Sequence, residues 1–163
     1  RVSTWLTALL ACSSLAFAGC LREQPATGAI DYGEECTGTQ PGNACLALVF
    51  SVKPSIREDV PESAIGAMHW ALYHGGDVAL FGPGDHEAVY DGIEEMIDMS
   101  AADATVVVHL PDVPPQPYQV LGFVDRDGNG KSNDGEAVTF PSEAFDVRPD
   151  RENRVEVVFD YLR

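Results

Sequence analysis

Between Val124 and Ala137 the chain reads DRDGNGKSNDGE, residues 125–136. Counted from Asp125, oxygen-bearing side chains fall at positions 1, 3 and 5 (Asp125, Asp127, Asn129), Gly130 falls at 6, and Glu136 at 12. This is the spacing of an EF-hand calcium loop, which places ligands at 1, 3, 5, 7, 9 and 12 and needs glycine at 6 for a sharp turn. Position 7 supplies only its carbonyl, so Lys131 is compatible, and Asn133 fills position 9. The chemistry implied is binding of a hard cation, calcium, by oxygen. The competing reading is an acidic surface turn, because Asp, Asn and Gly crowd ordinary turns for backbone reasons. The other chemistry-bearing residues are dispersed. His69 and His109 fall in strand-like segments and could meet across a sheet, where a carboxylate would complete a transition-metal site. Asp85-His86-Glu87 sits in a Gly/Pro loop and could bind metal or substrate, but reads first as a solvated turn, and lone strand histidines are usually packing or surface residues. No nucleophile elbow, phosphate loop or dinucleotide fingerprint is present, so no enzyme activity is expected.

The elements around the loop decide its scaffold. An EF-hand needs an amphipathic helix before position 1. Here PYQVLGFV precedes it, and Pro117, Gly122 and β-branched Val120 and Val124 oppose a helix. Pro141 precludes a long exiting helix. The loop therefore connects strands, and it lacks the paired helices that open in calcium sensors.

Elsewhere the apolar residues alternate. Leu46, Leu48, Phe50 and Val52 share one side of a strand ended by Pro54. In IGAMHWALYH, Ile65, His69 and Tyr73 take one face and Met68, Trp70 and Leu72 the other, as in a central strand. Gly75-Gly76 predicts a hairpin turn into DVALF. IEEMIDM reads as a strand in a hairpin with TVVVHL, although a helix over 86–99 would make the domain α+β. SIREDVPES is a polar connection and PDVPPQP is irregular. NRVEVVFDYL turns Val155, Val157, Phe159 and Tyr161 inward. About seven or eight short strands and no long helix predict an all-β fold, a single antiparallel β-sandwich over 45–163.

The N-terminal residues 1–19 end in LAFAG before Cys20 and resemble a bacterial lipoprotein signal peptide. Cleavage there would leave Cys20 lipidated, anchoring the protein to a membrane of the cell envelope; ordinary secretion is the alternative. Residues 20–44 are Gly/Pro/Thr-rich and read as a tether. Cys36 within it and Cys45 just after it make an even pair in an oxidising compartment and are read as a disulfide, with a metal pair as the alternative. The chain carries 10 basic and 26 acidic residues, net −16, which argues against nucleic acid and anionic lipid headgroups as partners.

The run VVVHLPDVPPQPYQVLGFVDRDGNGKSNDGEAVTFP resembles the core of a family of small exported bacterial proteins with a prealbumin-like (transthyretin-like) β-sandwich. LALVFSV and GAMHWALYHGGDVALF are similar to that family's opening strands. Gln116-Pro117 departs from the usual Gly before the Tyr-led strand, and the loop's second half, Ser132 to Glu136, is fuller than usual. The resemblance implies the fold and no defined activity. The expected function is thus a non-enzymatic, lipid-anchored envelope protein with one structural calcium, in an interaction or scaffold role. The competing expectations are an envelope polysaccharide- or peptide-binding module using Trp70, Tyr73 and Tyr90, and a metal-dependent hydrolase using the histidines.

Overall fold

The computed structural model describes residues 28, 30–33, 40–80, 82–141 and 143–163. Nine strands form one sheet: β1 (Ile30–Tyr32), β2 (Ala44–Val52), β3 (Ile65–His74), β4 (Tyr90–Asp98), β5 (Val106–Val113), β6 (Pro117–Asp125), β7 (Ala137–Thr139), β8 (Phe145–Asp146) and β9 (Glu152–Leu162). The order is β4-β3-β6-β7-β9-β2-β5, with β1 on β9 and β8 on β6. The all-β expectation holds, and the sheet is mixed rather than purely antiparallel. β2 runs parallel to β9, Leu46 opposite Asn153 and Val52 opposite Phe159. Alternation of side chains is the same in either direction, so periodicity carries no information on strand sense.

The sheet folds over on itself. β2 and β3 stand four places apart in the order, yet Leu46, Leu48 and Phe50 share one buried cluster with Met68, Trp70 and Leu72. Phe159 marks the closure: it stacks on Phe50 at 5.8 Å, and its ring would touch any Cβ added at Gly122 in β6. Three-residue β7 bridges the halves, with Phe123 opposite Val138 on one side and Val138 opposite Tyr161 on the other. At the far corner the Tyr90 hydroxyl donates to the Asp112 carbonyl, drawing the sheet's two end strands together.

Several expectations are corrected. SIREDVPES contains helix α1 (Pro54–Asp59) and a 3₁₀ turn (Pro61–Ala64). Proline opens each, where its missing N–H matters least, and Ile56 and Ala64 anchor them in the core. IEEMIDM is a strand, but β4 pairs with β3, and TVVVHL in β5 pairs with β2. Among the described residues, DVALF makes only an isolated bridge, Ala79 to Gly82. PDVPPQP is partly regular, since β5 runs through Pro111 to Val113 and β6 begins at Pro117. Part of the expected tether is structured, because β1 pairs with β9. Tyr161 points outward, 59% exposed: a register shift between Val138 and Thr139 reverses the parity that Phe159 sets. Cys45 is disulfide-bonded. Its expected partner Cys36, the lipidation residue Cys20 and the segment 1–19 lie outside the described residues.

Candidate metal centre

Asp125 is the last residue of β6, and Glu136 immediately precedes β7. The two strands are antiparallel neighbours, so their pairing brings positions 1 and 12 of the loop side by side. Glycine at the turn is required by conformation: Gly130 has φ +73°, a left-handed value that side chains with a Cβ disfavour. The result is a cluster. Asp125, Asp127 and Glu136 each offer a carboxylate oxygen, and these atoms lie within 4.8 Å of one another. Asp125 is 3% exposed and Glu136 2% exposed.

Backbone amides hold the carboxylates in place. Gly128 and Asn129 donate to Asp125 Oδ1 at 2.7 and 3.2 Å, and Gly130 donates to Oδ2 at 2.7 Å. Glu136 receives the Arg126 amide on Oε1 at 2.9 Å and the Asn133 amide on Oε2 at 2.7 Å. Asp127 accepts from the Asn129 and Asn133 side-chain amides at 2.8 and 3.3 Å. Lys131 is exposed, and its backbone amide donates to Asn129 Oδ1 at 2.8 Å. All six expected loop residues therefore belong to one hydrogen-bonded unit. Each carboxylate oxygen has two lone pairs, so those bonded to a single amide keep acceptor capacity for a cation. Desolvation works to raise the Asp125 pKa, but the amides of Gly130, Gly128 and Asn129 outweigh it and hold the carboxyl below its usual value. That keeps the group anionic.

Three contributors were invisible to local spacing. His69 of β3 places Nε2 3.5 Å from Asp125 Oδ2, its ring stacked on Phe123 at 4.5 Å and 6°. Gly66 lets β3 pass close to the loop: a Cβ there would sit 2.2 Å from the Asp125 carbonyl oxygen. Arg163 donates its amide to the Glu136 carbonyl and its guanidinium to the Ser132 carbonyl, clamping the loop's second half.

The histidines do not converge. His69 in β3 and His109 in β5 share no ligand cluster among the described residues. His74 lies 3.0 Å from Gln116 Nε2, and His86 lies 3.5 Å from Asp77. Among the described residues, the loop carboxylates form the one group of three or more potential His, Cys, Asp or Glu ligands. Nor do Trp70, Tyr73 and Tyr90 form one exposed patch. Trp70 is buried against Gly92, and Tyr73 alternates to the opposite face of β3. No family model, curated protein or solved structure matches this chain.

Proposed function

We propose that the protein is a non-enzymatic cell-envelope protein whose β6–β7 loop holds one structural calcium ion. One observation carries the metal: Asp125 and Glu136 are both buried and lie with Asp127 within 4.8 Å. Among the described residues no Lys or Arg forms an ion pair with any of the three; His69 Nε2 lies 3.5 Å from Asp125 Oδ2. Buried like charges repel one another and are unfavourable unless paired or bound to a cation. A purely oxygen donor set favours a hard ion, and a loop with several carboxylate and carbonyl ligands suits calcium better than octahedral, water-rich magnesium. The ligands are Asp125, Asp127, Asn129 and Glu136, with the Lys131 carbonyl and Asn133, directly or through water, completing the set.

The anchor is lipidated Cys20, and Cys36 is the partner of Cys45. Both assignments rest on the sequence pattern. The role is interaction or scaffolding, since the loop joins two strands and has no helix pair to open.

Calcium titration during thermal unfolding tests the metal. Millimolar calcium should raise the wild-type Tm, and a Kd of about 10⁻³ M gives about 1.4 kcal/mol of stabilisation at tenfold excess. The variant Asp125→Asn with Glu136→Gln should show no calcium-specific shift. An unresponsive wild type, or a response that survives in the double variant, refutes the site.

A further inference from the structure

Among the described residues, seven large apolar side chains are conspicuously exposed, and all but Val107 line two adjoining grooves on one face of the β4-β3-β6-β7 half. Ile65, Ile93 and Met96 line a groove of about 770 Å³ beside the metal loop; Leu80, Phe140 and Tyr161 line its neighbour, which shares His69 and Ile93. Such concentration on one face, rather than scatter, is what marks an interaction surface. A strained residue lies in the first groove. Opposite Ala67, β4 carries two residues, Glu95 and Met96, in a bulge. Met96 has φ +54° and is 91% exposed. A left-handed backbone at a residue with a Cβ is unfavourable, and burial within this chain does not offset it. The bulge aims a long, adaptable side chain outward at the end strand of the sheet.

We propose that the groove over Ile65, Ile93 and Met96 binds an extended basic segment of a partner polypeptide, with an apolar side chain seated among these three. Charge selects the occupant. The groove presents Glu95, Asp98 and Asp127 as well as Asp125, against one cation, Arg126, which lies 3.9 Å from Glu62. A second copy would bring the same acids against themselves in an isologous contact, and an anionic membrane surface would be repelled. β4 is an end strand paired only with β3 among the described residues, so an extended segment has access to it. The proposal does not depend on an ion in the loop, because Glu95 and Asp98 lie outside it.

The test uses the isotope-labelled full chain with a fluorescent soluble peptide of lysines flanking leucines. Controls replace the lysines by glutamates or the leucines by glycines. The lysine–leucine peptide should bind in low salt and weaken as salt screens it, with amide shifts confined to the groove's own segments, 65–69, 93–98 and 125–130. Ile93→Lys and Met96→Asn should each weaken binding about tenfold or more. Asn tolerates the left-handed backbone and Met96 contributes nothing to the core, so the Tm of Met96→Asn should not fall; this separates docking from folding. Undiminished binding by both variants, equal binding of either control peptide, or shifts spread over the whole acidic surface would overturn the proposal. So would adsorption to phosphatidylglycerol vesicles, or a concentration-dependent dimer in sedimentation that Met96→Asn abolishes.

Discussion

Asp125 does two jobs that can be separated by substitution. As an acceptor it satisfies the amides of Gly128, Asn129 and Gly130; as an anion it faces Asp127 and Glu136. Asp125→Ala removes both, leaving three amides without their acceptor, and should destabilise the protein by about 1–3 kcal/mol in chelator-containing buffer. Lys131→Ala removes only an exposed side chain whose backbone remains, and should stay within about 0.5 kcal/mol of wild type. Urea unfolding with and without chelator measures both. A Lys131→Ala loss as large as that of Asp125→Ala would mean that the loop is held by side-chain packing rather than by carboxylate–amide bonds. These roles were legible because a coordination loop is a local code: six positions and one glycine lie within twelve consecutive residues. His69, Gly66 and Arg163 were not legible, since each reaches the loop from a distant segment and none has a spacing that refers to it.

At the scale of elements, the strands with clean alternation were readable and the contacts that bend them were not. β2, β3, β6 and β9 announce themselves because alternate large apolar residues of each enter the core. β1 has three residues, too few for a period, and exists through its pairing with β9. The DVALF segment has strand composition, but among the described residues its only ladder contact is the isolated Ala79–Gly82 bridge, so composition is overridden by context. Two substitutions probe how elements lock together. Gly66→Ala would drive a Cβ into the Asp125 carbonyl and should destabilise by about 1–3 kcal/mol, with loss of calcium response if the β3–loop approach orders the site. Tyr118, fully buried in β6, donates its hydroxyl to the Pro114 carbonyl and accepts from Gln116. Tyr118→Phe should therefore destabilise by about 1 kcal/mol. Desolvation raises the Tyr118 pKa above 10.0, Tyr90 adding to the rise against the opposing Gln116 hydrogen bond. A raised folded pKa gives stability that is present below the unfolded value and lost as pH rises through the folded one. Alkaline unfolding of wild type should accordingly steepen above the ordinary tyrosine range, and Tyr118→Phe should blunt that loss.

The whole molecule carries a net charge of −16, and this makes general and specific ion effects separable. Self-repulsion of so many like charges opposes the compact state and is relieved by any screening electrolyte. Raising sodium chloride should therefore increase the Tm of wild type and of Asp125→Asn/Glu136→Gln, although the double variant should gain less because two charges are gone. Calcium adds a term of another kind. At constant ionic strength, replacing part of the sodium chloride by millimolar calcium should stabilise wild type further and leave the double variant on its sodium baseline. Since binding stabilises through the logarithm of ligand over Kd, the wild-type increment should keep rising by about 1.4 kcal/mol per tenfold calcium once the loop is nearly saturated. Condensation of calcium on diffuse surface charge would instead move both proteins together. Differential scanning calorimetry of the pair across the two titrations decides between them. A calcium increment shared by both proteins would reduce the β6–β7 loop to an acidic turn, while an increment over the sodium baseline in wild type alone would place the ion between Asp125 and Glu136, at the join of the sheet's two halves.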